Sequence, residues 1–488
     1  MELPGFVGPS YVSQAATFDQ EELMNWYVEV AEVPGSTSKM WLAPTPGVTE
    51  IASVSGGSGR AHLAVGSLEF AVIGDGFYQI DIAGTVTLRG TVVNDGLPAT
   101  LSDSGNPNFE IFITSGRNGY IYNYATTAFT QIAALNGKAT KGGYLEGYFI
   151  SLDPFTASLY ASELADGLTW NTGTSFAQRS LAADPWISFV ISNRYIYLLG
   201  TETSEPWFNA GTSPFPFTPD PSGFFEFGCA ATFSATVVDS APVWLGRSKD
   251  GRGMVIRANG FNPEIISTYP IQALLNGLTT EGNFIISDAI GFTYNDAGHT
   301  FYILSFNTFD LTLAWDSSNP NVANGWAKRG TWLSEENRFG IWRPCFHAFV
   351  FGRHRMLDIG TGSIYVMDRA FGMDADGREI RRVRRAPALV NELQRITYPA
   401  FELDLEPGLG NTVDPGSNPQ VMMRMSNDGG KTWGNERLRS AGMIGQYGTR
   451  VRWNRCGQAR RRVFEVSVTD PIPWRLTAAF LQDATAKG

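Results

Sequence analysis

The feature that most constrains this 488-residue chain is a hairpin-like unit that recurs along it without repeating its letters. From His62 onward an apolar run, a short turn and a second run follow one another. The unit occurs at Phe70 to Ile80, Phe109 to Tyr122, Tyr148 to Ser162, Trp186 to Phe208, Val243 to Ile256, Phe301 to Trp315 and His347 to Met367. Alternation at period two marks a strand with one buried face, and glycine supplies the positive φ that tight hairpins need. Successive units are spaced by about 40 to 60 residues, which suits the four-stranded blade of a propeller. A parallel β-helix needs shorter and more regular coils, and a sandwich closes after roughly a hundred residues. The pattern therefore predicts an all-β fold, a β-propeller of about seven blades with six to eight allowed. The body is expected over 62–405, an extended N-terminal arm and first strands over 1–61, and a C-terminal β region over 406–488.

Composition agrees with a β-rich body. Glycine is high at 53 residues, aromatics make up 13% and charged residues only 17%. The formal charge of -10 argues against a protein that mainly wraps nucleic acid, which needs Lys and Arg against phosphate. Cys229, Cys345 and Cys456 are far apart and without paired spacing, so neither a disulfide framework nor a zinc site is expected. A reducing compartment follows. Residues 1–10 lack a basic region followed by an apolar run, so no signal peptide is expected, and no apolar stretch is long enough for a membrane anchor.

Two short helices are expected. One covers Tyr269 to Leu275, where Pro270 sits in the first turn, and the other covers Gln20 to Met24. Near 374–387 the aromatic pattern breaks at Arg381, Arg382, Arg384 and Arg385, which suggests a further boundary. Phe401 to Leu405 then reads as a strand. The part that follows is either a last blade or a small appended β-sandwich.

That C-terminal part contains Ser426-Asn427-Asp428-Gly429-Gly430-Lys431-Thr432-Trp433, after a loop and the strand Val421 to Met425. An Asx side chain hydrogen-bonds the backbone beyond it, glycine turns the chain and tryptophan anchors the hairpin. The pattern resembles the Asp-box of sialidase-type propellers, with Ser426, Asp428, Gly430 and Trp433 as its structural positions. Sialidase chemistry would need an arginine triad, a tyrosine nucleophile with its glutamate, and an aspartate acid/base. The early Arg-Ile-Pro element of that family is missing and only one full box is present. The box lies away from the catalytic face in that family, so Asp428 is not a nucleophile candidate. His62, His299, His347 and His354 are scattered, and a seven-residue spacing in one continuous strand would put His347 and His354 on opposite faces. Asp75-Gly76 and Asp250-Gly251 read as hairpin turns, and Gly56 to Arg60 lacks the Lys-Ser/Thr and helix of a phosphate loop. No catalytic residue, metal or cofactor is expected.

After the box the chain carries Arg450, Arg452, Trp453, Arg455, Arg460, Arg461 and Arg462 in segments that largely alternate charged and apolar residues. Near the start, Asn25-Trp26-Tyr27 is followed by Pro44-Thr45-Pro46-Gly47. These two ends together resemble the packaged DNA stabilisation, or tail hub, proteins of short-tailed bacteriophages. The resemblance covers Asn25 to Val48 and Val421 to Trp474, and the middle matches only in β character. It implies a virion tail protein rather than an enzyme, assembled in the host cytoplasm as a ring, commonly a hexamer, beneath the portal and its adaptor. Such rings hold packaged DNA, bind the tail needle or tailspikes and open as an ejection channel.

On this reading the two arginine groups, Arg381, Arg382, Arg384 and Arg385 with Arg450 to Arg462 and Trp453, form a candidate assembly interface. Docking on acidic partner surfaces is favoured over direct DNA contact, while ordinary strand alternation with salt bridges accounts for part of the clustering. The Asp-box is expected to hold the Arg450 to Arg462 segment in place. The alternative is a glycan-binding or glycan-cleaving propeller. A kelch or WD scaffold is disfavoured because its repeat signatures are absent.

Overall fold

A computed structural model describes residues 1–12, 20–31, 39–178, 184–247, 253–280, 283–482 and 485–487. The fold is a β-propeller followed by a β-sandwich. Successive antiparallel sheets, most of four strands, follow the chain from Gly59–Val65 to Ser363–Asp368. Their innermost strands adjoin in a closed circuit: Gly59–Val65, Thr100–Asp103, Lys141–Leu145, Trp186–Ser192, Thr236–Val238, Ala289–Asp296 and Pro344–Val350, which returns to the first. Gly47–Ser53 completes the last sheet by pairing with Ser363–Asp368, so the start and end of the propeller share one blade.

The local turn chemistry explains the hairpins. Gly116 and Arg117 have φ of 58° and 61°, and they join Ser115 to its partner Asn118. Two successive positive φ values are the signature of a turn whose twist matches the flanking strands. Asn193-Arg194 and Asp239-Ser240 repeat it without glycine. Apolar strand faces pack between neighbouring blades. Leu152 and Leu159 of one sheet meet Trp186, Leu198 and Trp207 of the next, for example.

The sandwich has two sheets over a core of Trp26, Phe401, Trp453 and Phe464. Phe401 stacks on Phe464 with ring centroids 4.4 Å apart. One sheet runs in the order Trp26–Val30, Met40–Pro44, Leu476–Gln482, Ala400–Leu405, Val451–Asn454. The other contains Arg382–Arg385, Val463–Val468, Gln420–Ser426 and Arg437–Ser440. Gln20–Met24 pairs with Arg382–Arg385 and, in parallel through Met24 and Lys328, with blade strand Trp326–Arg329. A ten-stranded sheet thus runs unbroken from propeller to sandwich.

Tyr269–Asn276 is helical as expected, with Ile271 and Leu275 buried. Gln20–Met24 is a strand, not a helix, because two flanking strands offer it a full ladder that outweighs local propensity. Sheet membership also moves both edges of the expected body: Gly47–Ser53 joins the propeller, and Ala400–Leu405 lies in the sandwich. The N-terminal arm is not free, since Leu3 and Phe6 are buried in the sandwich core. The Asp250-Gly251 turn lies outside the described residues.

Candidate assembly interface

The Asp-box closes the turn after Gln420–Ser426. Ser426 Oγ donates to Asp428 Oδ1 at 2.6 Å and accepts the Gly430 amide at 2.8 Å. The same Oδ1 accepts the amides of Lys431 and Thr432 at 2.9 and 3.0 Å, and Oδ2 accepts the Thr432 hydroxyl at 2.6 Å. These donors, led by Ser426, hold the carboxyl well below the usual range. Trp433 Nε1 donates to the Gly430 carbonyl, and its ring faces the guanidinia of Arg424 and Arg385 at 4.8 and 5.0 Å. The box therefore clamps the Arg382–Arg385 side of the sandwich. It also meets the expected arginine segment, through a bridge between Asp428 and Arg461.

Beneath Trp433 a line of alternating charges crosses the shared sheet. Lys328 donates to Glu22 at 3.1 Å, Arg385 lies 3.0 Å from Glu22 and 2.8 Å from Glu465, and Arg424 donates to Glu465 at 2.5 Å. Glu22, Arg385, Glu465 and Arg424 are direct cross-strand partners, so the backbone register itself sets the sequence of charges. Burial pushes the Glu22 carboxyl up, but Lys328, Arg385 and Arg424 together hold it below its ordinary value.

The predicted interface arginines divide into two groups. Arg382, Arg384, Arg462 and Trp453 are buried within the chain. Arg384 donates to the carbonyls of Gly5, Phe6 and Pro9 and to Glu21, all within 2.8 Å, and so ties the N-terminal segment to the sandwich. Arg382 donates to the Thr45 carbonyl, and burial pushes its guanidinium down to about 10. Arg462 donates to the Cys456 carbonyl at 2.6 Å between the rings of Tyr398 and Phe464. Trp453 Nε1 caps the Arg437 carbonyl at 2.7 Å. Alternation holds at Val451–Asn454, where Trp453 takes a buried position, but not at Arg382–Arg385, where three consecutive residues are buried.

The remaining positions reach the surface. Arg381 stacks on Trp332 at 4.5 Å and pairs with Glu436. Arg455 and Arg460 are exposed, Arg452 and Arg461 are half-buried, and exposed Arg450 makes a two-point pair with Glu402 at 2.6 and 2.7 Å. Arg437 and Arg439 add to this edge. Residues 381–482 carry sixteen Lys and Arg against nine Asp and Glu, net +7, whereas residues 1–380 carry twenty against thirty-seven, net -17.

Sequence reasoning missed several positions. Asn25, at φ 59°, turns the chain from one sandwich sheet to the other. Its side chain donates to the carbonyls of Gly330 and Arg381 at 2.8 Å each and accepts the Gly330 amide at 3.0 Å. Glu465 was signalled only as a lone carboxylate in the apolar run Val463–Val468. Arg329, buried among Tyr294, Phe301 and Trp342, gave no signal.

His347 and His354 are not on opposite faces of one strand. They occupy two strands of a hairpin, and Nε2 of the first lies 2.9 Å from Nδ1 of the second. A bulge after Cys345 shifts the register and brings them together. Burial, with His354 and His62 nearby, pushes His347 down to about 3. Among the described residues no group of three or more His, Cys, Asp and Glu could hold a metal, and no helix is long and apolar enough to cross a membrane. The three cysteines are free and buried.

Fold and seam define a two-domain all-β protein, a propeller joined to a sandwich by a shared sheet. Residues 1–372 match the family described as bacteriophage P22 Gp10, β-propeller, and residues 381–482 match bacteriophage P22 Gp10, β-sandwich. The chain belongs to the bacteriophage P22 Gp10 family, a family of phage structural proteins. The sandwich match also decides between the two forms open for the C-terminal region. A search of curated proteins found no match. Similar solved structures include the N-terminal domain of Nup159, with 12% identity, 70% of this chain and 98% of that one covered, and a TM-score of 0.42. Virginiamycin B lyase from Staphylococcus aureus gives 8%, 66%, 99% and 0.44, and a streptogramin B lyase gives 11%, 66%, 98% and 0.43. At these scores the likeness carries nothing about function.

Proposed function

We propose that this chain is a tail hub subunit. It forms a homo-oligomeric ring, with six copies the expected number, below the portal and head-to-tail adaptor. There it retains packaged DNA, anchors the tail needle or tailspikes and forms part of the ejection channel. The observation that carries this reading is the family match over both domains. The continuous sheet and its charge line support it, because a part that bears load between head and tail gains from domains that move as one body. The surface arginines, exposed Arg450, Arg455 and Arg460 with half-buried Arg452 and Arg461, supply a docking edge for acidic protein surfaces, and arginine's planar fork suits that task. No catalytic role is assigned, and no observation favours glycan cleavage.

The test is assembly without the protein. DNA-filled heads lacking it should lose their DNA to nuclease, and purified protein should restore protection and appear as a ring beneath the portal. Heads that stay protected without it, or purified protein that never associates with a portal or adaptor, would overturn the reading.

A further inference from the structure

Val451–Asn454 ends the five-stranded sheet of the sandwich, paired with Ala400–Leu405 on one side and, among the described residues, with no strand on the other, where Arg437–Ser440 of the second sheet lies close without pairing. A free edge presents backbone groups that another chain can pair with unless they are covered. Here side chains are the cover. Arg437 Nη2 donates to the Asn454 carbonyl at 2.6 Å and Arg439 Nε to the Arg452 carbonyl at 3.0 Å. Both come from Arg437–Ser440, the last strand of the other sheet. Arg439 is exposed and Arg437 half-buried, so this cover lies at the rim of the sandwich.

The paired side of the same strand displays what it accepts. Ala400–Leu405 carries Glu402 and Asp404 at alternate positions, and Glu402 lies opposite Arg452 in register. The Glu402 carboxylate receives both Nε and Nη2 of Arg450. On the open side the guanidinia outnumber the acids. Among the described residues Glu402 is the one carboxylate ion-paired with any of Arg437, Arg439, Arg450, Arg452, Arg455 and Arg460.

We propose that the open edge of Val451–Asn454 accepts an extended segment of a partner protein that carries carboxylates at alternating positions. The segment's backbone N–H groups replace the guanidinium donors on the Arg452 and Asn454 carbonyls, and its carboxylates take the released Arg437 and Arg439. Every hydrogen bond broken on the edge is thereby replaced, and two charge-assisted ones form. The setting rests on the docking role proposed above, whereas the edge chemistry stands apart from ring formation.

The probe is a fluorescein-labelled peptide copying residues 400–406, Ala-Phe-Glu-Leu-Asp-Leu-Glu, titrated into the full-length protein and followed by anisotropy. Saturable binding is expected. It should weaken at least about tenfold when the three acids become Gln, Asn and Gln, when alternate peptide amides are N-methylated, and in Arg439→Glu. Arg353→Glu, at the exposed start of propeller strand Arg353–Asp358, should bind as wild type. If Arg439→Glu fails to fold, Arg439→Gln takes its place. No saturable binding, an N-methylated peptide that binds as well as its parent, or an arginine variant without effect would overturn the proposal. Association with the portal adaptor is measured in parallel. Protein that assembles but ignores the peptide fails this proposal alone, and protein that takes the peptide but never assembles fails the hub reading alone.

Discussion

Arg385 and Glu465 face each other on neighbouring strands, the guanidinium donating to the carboxylate at 2.8 Å, and the same arginine reaches Glu22 on its other side. This relationship fastens the N-terminal strand to the sandwich, and Lys328 continues the line into the propeller. Glu465→Gln should leave Arg385 and Arg424 short of charge in a mostly covered place. The expected cost is about 2 kcal/mol, between the values for exposed and fully buried pairs. Urea unfolding should report it, with Glu436→Gln, which alters a more exposed pair, costing less. Equal effects of the two would show that the seam is not special.

The Asp428 carboxylate organises its turn through four hydrogen bonds, so Asp428→Ala should free the turn and release Trp433 from its two arginines. Amide exchange across 427–433 should speed up, and assembly with partners should weaken. Because the folded carboxyl is held below its unfolded value, its stabilisation is full above the unfolded value and is lost as pH falls through the folded one. Unchanged exchange in the variant would remove the clamp from the account.

His299 gives the opposite sign. Burial works against its charged form, but the Asp316 carboxylate at 2.7 Å outweighs burial and raises the imidazole above its ordinary value. That stabilisation is complete below the unfolded value of about 6.5 and fades as pH rises through the folded value. Melting temperatures of wild type and His299→Gln should therefore converge as pH climbs from about 6 to 8. A constant gap over that range would contradict the assignment.

Asn25 makes two separable contributions, a left-handed backbone and three amide hydrogen bonds. Asn25→Ala should lose both and cost about 3 kcal/mol, while Asn25→Gly keeps the backbone freedom and should cost about 1 kcal/mol less. Denaturation midpoints of the two variants measure the difference. Glycine as damaging as alanine would mean that backbone strain plays no part.

The sequence displayed the propeller well, because each hairpin is local. Phe70 to Ile80 carries its own alternation, turn and partner strand, and so did most other units. The Asp-box was legible for the same reason. What stayed hidden depends on distant partners. Gln20–Met24 reads as a helix until Arg382–Arg385, some 360 residues on, is placed beside it. The arginines at 382, 384 and 462 look like surface charge, yet each is spent on backbone carbonyls that only the folded N-terminal segment or a nearby turn brings within reach. His347 and His354 were misplaced because a turn and a bulge, not one strand, separate them.

The proposed hub subunit keeps its buried arginines in an internal seam and turns its exposed ones toward neighbouring proteins in the tail. Cryo-electron microscopy of mature particles tests this most directly. The account predicts a closed ring below the portal in which Arg455 and Arg460 lie at a protein contact, while Arg384 and Arg462 keep their internal carbonyl partners. A particle whose tail lacks this chain, or a ring whose Arg455 and Arg460 face only solvent, would contradict it.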